Sequence, residues 1–252
     1  RGFTWNGTLT PALPPTITSV AAVPADQTPS GGYLPLSAFG IPPVSGMGDE
    51  SIVNFTVPAF RYGSEVYTRI GVVSNGYVVI GGGTAQDVAY LAVPIPSTNR
   101  PNNIVAPFWS DLNPSASGAV RVGSLTDGTT KWLIVDFDAV PTYTQSLKNS
   151  FQVWIELGAQ EDVTIAHGPT AGAGVEGLSQ GAENRDGTSG AAYSGGEGST
   201  WRVNATAPTP GGSVQITYGA SSSRAGTYVL APTATSPLVK GTISVPQTLR
   251  VK

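Results

Sequence analysis

The chain has 252 residues, with 13 Lys and Arg against 16 Asp and Glu, one His, no Cys, and only 12% charged residues. A net charge of −3 and a pI near 5.1, without any local Lys/Arg cluster, exclude the basic face that general nucleic-acid binding needs. The lack of Cys removes a disulfide framework, a thiolate metal site and a cysteine nucleophile together, and no apolar run reaches the ~18 residues of a membrane-spanning helix.

Short β-branched and aromatic runs recur between turn signals supplied by 32 Gly and 21 Pro, while a helix-forming composition is missing. That pattern predicts an all-β protein built as a sandwich. In chain order, residues 3–23 hold one strand-like stretch and the Pro-rich segment 11–15. Clear strands follow at 66–74, 77–81, 103–109, 119–125, 131–138, 150–157 and 162–167, with hairpin turns at Asn75-Gly76 and Asp127-Gly128. Phe151, Val153, Ile155 and Leu157 alternate with Gln152, Trp154 and Glu156, and Leu133, Val135 and Phe137 form a matching stripe, so these faces should meet in one core.

The tail predicts strands at 213–218, 226–230, 239–245 and 248–251, after a linker-like stretch at 206–212 rich in Thr, Pro and Gly. Four strands make a thin sandwich, so residues 1–25 are expected to complete it with 206–252. The larger β domain, 30–205, then follows the first strands or is inserted among them. The low charge and the start at Arg1, with no initiator Met or signal peptide, read as a processed or excised piece of a secreted or cell-surface protein.

Few residues invite chemistry. A Ser/His/Asp triad needs a histidine base, and His167 reads as a strand-end residue at a sheet edge. Asp136 and Asp138 share one strand face with Cα atoms roughly 6.5–7 Å apart, compatible with a glycosidase pair, but are expected to be solvated strand-end acids. Oxygen-rich turns at Asp111 and Asn113, and at Glu183, Asn184 and Asp186, offer hard ligands for calcium; the alternative is that they cap turns. Gly81-Gly82-Gly83 lacks the Lys-Ser/Thr of a P-loop. Trp109, Trp132 and Trp154 lie in strands and should be core. Trp5, Trp201 and Tyr193 are the candidate ligand-binding aromatics.

Several segments carry a family resemblance. They are Tyr67-Thr-Arg-Ile-Gly-Val-Val-Ser-Asn-Gly-Tyr-Val-Val-Ile-Gly-Gly-Gly83, Asn102-Asn-Ile-Val-Ala-Pro-Phe-Trp-Ser-Asp-Leu-Asn-Pro114, Trp132-Leu-Ile-Val-Asp-Phe-Asp-Ala-Val-Pro141, Phe151-Gln-Val-Trp-Ile155 and Gly181-Ala-Glu-Asn-Arg-Asp-Gly-Thr-Ser-Gly190. Over residues 33–205 the chain resembles the β-rich region that follows the catalytic domain in secreted bacterial subtilisin-like serine peptidases. It is more distantly similar to the nidogen-type extracellular domain. The tail is similar to a fibronectin-like sandwich. The resemblance carries no catalytic residue, because the Asp-Thr/Ser-Gly and His-Gly-Thr motifs of those enzymes are absent and Gly187-Thr-Ser-Gly190 breaks off before the Met-Ala of the third.

The expected function is that of a non-catalytic, extracellular accessory module that binds substrate or a cell surface. Its partners would be a catalytic protease domain and an insoluble protein or polysaccharide surface, with no nucleic acid, no membrane span and no cofactor unless calcium binds. The alternatives are a structural, self-associating β protein that donates a terminal strand to a neighbour, a domain that stabilises its protease, and a cryptic hydrolase using Asp136, Asp138 or Asp111.

Overall fold

The computed structural model describes residues 14–207 and 224–229, with the backbone of the strands at 2–9, 214–221, 226–230, 233–236, 239–244 and 247–251. The chain divides into two compact units, one of residues 1–14 and 208–252, the other of residues 15–207. In order, the strands are β1 (Gly2–Leu9), β2 (Thr16–Ala22), β3 (Ile52–Tyr62), β4 (Glu65–Val73), β5 (Tyr77–Ile80) and β6 (Ile104–Trp109). Next come β7 (Ala119–Thr126), β8 (Lys131–Pro141), β9 (Lys148–Glu156), β10 (Val163–Thr170), β11 (Ser179–Glu183), β12 (Gly190–Ala192) and β13 (Thr200–Thr206). The tail adds β14 (Val214–Ser221), β15 (Gly226–Leu230), β16 (Thr233–Ser236), β17 (Val239–Ser244) and β18 (Gln247–Val251).

The larger unit is an all-β sandwich of two six-stranded antiparallel sheets, ordered β2-β13-β10-β9-β8-β7 and β12-β11-β6-β5-β4-β3. The two alternating stripes lie side by side on β8 and β9 of one sheet, with Val135 opposite Val153 and Phe137 opposite Phe151. Val135, Phe137, Phe151, Val153 and Ile155 from one sheet pack with Phe60, Ile70, Val72, Val78, Val105 and Phe108 from the other. Phe151 stacks on Phe108 at 5.4 Å and on Phe137 at 4.7 Å, which ties the sheets together at their centre.

Both outer faces are covered too, so residues on the second stripe of a strand are also buried. Residues 81–103 lie over β5 and β6, where Val73, Tyr77, Val79, Ile104, Ala106 and Trp109 form a second cluster with Ile95. The Tyr77 hydroxyl donates to the Asp87 carbonyl at 2.7 Å, and Trp109 Nε1 donates to that of Ala89 at 2.8 Å. On the opposite sheet, residues 34–44 cross β9, β8 and β7 in turn. Leu34 N donates to Gln152 Oε1 at 3.1 Å, Leu36 N to Asp136 Oδ2 at 2.8 Å, and Val44 N to the Val120 carbonyl at 2.8 Å. Leu36 from this segment is buried against Ile134 and Trp154 of the sheet.

Three expectations change. The stretch 16–22, assigned from the sequence to the terminal sandwich, pairs with β13 in the larger unit instead. His167 is not at a sheet edge: β10 lies between β9 and β13, the latter a strand whose mixed burial left no clear signal in the sequence. The tail strands, read as unpaired under the strand-donating alternative, pair within the chain, β14 with β1, β15 with β18 and β16 with β17. Each pairing satisfies one edge of each of these strands.

An acidic cleft at the loop end of the sandwich

Five loops of the larger unit converge beside the ends of β3, β4, β6, β8 and β10. The turn Ser74-Asn75-Gly76 organises them. Gly76 has φ +82°, and a Cβ there would run into the Phe108 carbonyl, so glycine alone fits. Asn75 is fully buried. Its Oδ1 accepts from Leu112 N at 3.0 Å, its carbonyl accepts from Ser110 N at 3.3 Å, and its Nδ2 donates to Glu50 Oε2 at 3.1 Å and Oε1 at 3.2 Å. Ser110 Oγ then donates to the Gly177 carbonyl at 2.8 Å, and Tyr143 N donates to the Asp111 carbonyl at 2.9 Å. One asparagine thus links three loops, and the next residues along bring in two more.

The cleft these loops enclose holds about 340 Å³ and is lined by Asp49, Glu50, Asp111, Glu176, Tyr90, Tyr143 and Thr144. Carboxylate oxygens of Asp49, Glu50 and Asp111 lie within 4.8 Å of one another. Asp49 and Glu50 are exposed, but Asp111 is only 7% exposed. Among the described residues no donor or cation meets the Asp111 carboxylate. Burial first, then the charges of Glu50, Glu176 and Asp49, push it up to about 6. Burial also raises Glu50, opposed by the hydrogen bond from Asn75. Glu176 Oε2 is shielded from solvent and has no hydrogen-bond partner. No Lys or Arg is among the lining residues. The rim is aromatic, with Tyr90 46% and Tyr143 54% exposed.

Of the calcium candidates, only Asp111 joins this cleft. Asn113 Oδ1 accepts from Ser115 N at 2.9 Å and caps its own turn. Glu183 is buried, with Oε2 accepting from Ser97 N at 2.8 Å, and burial pushes its pKa up to about 7. Asn184 bridges Pro15 and Ser189 by Nδ2 and Oδ1, and Asp186 Oδ1 accepts from the Thr188 hydroxyl at 2.6 Å. Of the aromatic candidates, Tyr193 and Trp201 are packed against each other at 4.5 Å beside the main core. The Tyr193 hydroxyl contacts His167 Nε2 at 3.0 Å and the Pro107 carbonyl at 3.3 Å. The Trp5 side chain lies outside the described residues.

The hydrolase candidates are held by structure-building contacts. Asp136 is fully buried rather than solvated, because residues 33–36 cover it; Asp138 Oδ2 accepts from Arg121 NH1 at 2.8 Å. Gly177-Leu178-Ser179-Gln180-Gly181 has the spacing of a hydrolase nucleophile elbow, yet Ser179 opens β11 and its hydroxyl donates to the Val93 carbonyl at 2.6 Å. His167, lowered by burial to about 4, faces Tyr193 and not Ser179. Sequence reasoning missed Asp49, Glu50, Glu176, Tyr90 and Tyr143. The adjacent acids in Gly46-Met-Gly-Asp-Glu-Ser51, directly before β3, were the one local signal.

A family model described as NIDO related matches residues 27–234. The chain belongs to the NIDO-related family. The match runs through both covering segments and every loop of the cleft. As a NIDO-related chain it is an extracellular-type β module, of a kind that is typically non-catalytic. No curated protein and no solved structure matches the chain. Among the described residues no helix is long and apolar enough to cross a membrane.

Proposed function

We propose that this NIDO-related chain is a non-catalytic accessory module of a secreted subtilisin-like peptidase, and that its loop end docks on substrate or a cell surface. The observation that carries the docking end is the exposed pair Tyr90 and Tyr143 on the rim of a cleft whose floor is fixed by Asn75. Large amphipathic side chains on a rigid scaffold contribute contact area at little entropic cost. Support for the protease context is the sequence resemblance over residues 33–205.

Sedimentation of the purified chain with insoluble collagen, keratin, bacterial cell wall and polysaccharide tests the reading. Retention on one of these polymers, reduced at least about tenfold in a Tyr90→Ala/Tyr143→Ala double variant, is the expected outcome. No retention on any polymer, with concentration-dependent assembly in its place, moves the function to the structural alternative.

A further inference from the structure

We infer that Asp49, Glu50 and Asp111 form a binding site for a single divalent cation of the calcium class. The inference goes beyond the docking function and stands without it, since the cation is read in the free protein.

Three carboxylates that crowd together repel one another, and proteins relieve such crowding with a cation or with donors. Here Asn75 donates to Glu50 alone. Asp111, more than nine-tenths buried, turns its carboxylate into the cleft with no donor or cation against it among the described residues. One oxygen on the same cleft, Glu176 Oε2, is shielded from solvent and also without a partner. An anion buried against other anions and left unpaired is costly unless a cation completes it.

The donor set selects the ion. All the ligand atoms are oxygens, which suits hard cations and not zinc or copper. Ca²⁺ takes several carboxylates in a flexible geometry, whereas Mg²⁺ is usually held by one or two and keeps more of its waters. One oxygen from each of the three residues lies within 4.8 Å of the others, close enough for one ion to bridge them. The 340 Å³ cleft leaves room for the waters that fill its remaining coordination positions. Positioning falls to Asn75, which fixes Glu50 by its side chain and the Asp111 loop through Leu112 N.

The test uses the whole chain, first stripped with EDTA, then titrated with Ca²⁺, Mg²⁺ and Tb³⁺. Tyr90 and Tyr143 line the cleft and serve as antennae for terbium emission excited through tyrosine. Expected are a melting temperature that rises by about 5 °C or more at saturating Ca²⁺, a smaller response to Mg²⁺, and terbium emission displaced by Ca²⁺. Asp111→Asn removes a repelling charge, so it should melt no lower than the parent in EDTA while losing the calcium shift. Glu50→Gln provides a second variant with the same expected loss. The site is overturned by the absence of both a calcium shift and displaceable emission in the parent chain. It is equally overturned if the response survives Asp111→Asn and Glu50→Gln, or survives these and disappears in Asp186→Asn, which assigns the ion to the 183–186 turn.

Discussion

The Tyr33 hydroxyl donates to Asp136 Oδ1 at 3.0 Å, joining residues 103 positions apart, and Leu36 N fills the other carboxylate oxygen at 2.8 Å. Next to them Gln152 accepts from Leu34 N and donates back to the Leu34 carbonyl, as a neighbouring strand would. Two polar side chains on the outer face of a sheet therefore act as surrogate backbone for the segment that crosses it. Gly168 makes room, since a Cβ there would meet the Tyr33 ring.

Asp136→Ala should destabilise the larger unit by about 2–4 kcal/mol, because it leaves two donors unpaired beneath the segment that covers the sheet. Tyr33→Phe removes one hydrogen bond and should cost about 1 kcal/mol. Urea unfolding followed by tryptophan fluorescence measures both, and equal losses would show that the two contacts do not differ in kind.

Asp136 and His167 make opposite contributions to the pH dependence of stability. Burial, only partly offset by hydrogen bonds, raises Asp136 from 3.8 to about 6, so its contribution is full below the unfolded value and is lost as pH rises through 6. Burial lowers His167 from 6.5 to about 4, so its contribution is full above 6.5 and is lost as pH falls towards 4. Each shift corresponds to roughly 3 kcal/mol. Relative to the parent, Asp136→Asn should gain stability between pH 4 and 7, and His167→Gln should gain it between pH 7 and 4. Urea midpoints at four pH values across that range check the two signs independently.

Gly76→Ala should cost about 2–4 kcal/mol, since the residue combines positive φ with contact against the Phe108 carbonyl. Asn75→Ala should cost a similar amount and also weaken calcium binding by roughly tenfold or more, as a carboxylate loses the donor that aims it. Calorimetric titration of Asn75→Ala separates the second effect from the first.

Trp201→Ala should lower stability by about 2–3 kcal/mol, as the ring packs on Tyr193 beside the core and its Nε1 donates to Ser199 Oγ at 3.0 Å. Thermal melts report it. A variant of unchanged stability but reduced polymer retention would return Trp201 to the docking surface.

Strands with strict alternation were legible to within a few residues. Observed β8 and β9 contain the stripes through Val135 and Val153, and Asn75-Gly76 does sit at a hairpin. Strands without large side chains were not: β11, Ser-Gln-Gly-Ala-Glu, and β12, Gly-Ala-Ala, owe their conformation to their neighbours rather than to β-branched residues. The covering segments 34–44 and 81–103 escaped because each follows a sheet it does not join, and so shows no period. For the same reason Asp136 was expected to be solvated, on a face that proves to be buried. Asp111 was recognisable as an oxygen ligand, but its partners come from other loops, and a spacing rule along one turn could only pair it with Asn113.

Thr16 faces Thr206 across β2 and β13, just as Leu9 faces Val214 across β1 and β14. The first and last strands of the larger unit are thus hydrogen-bonded neighbours, and the strands that flank it on either side are too. Such a unit is a cassette: joining its ends by a short turn would close it on itself, and new ends opened at the 127–130 turn would give a circular permutant with the same sheets. The same arrangement lets residues 16–206 be spliced into the hairpin turn of another β protein, bringing the cleft along as a transplantable part.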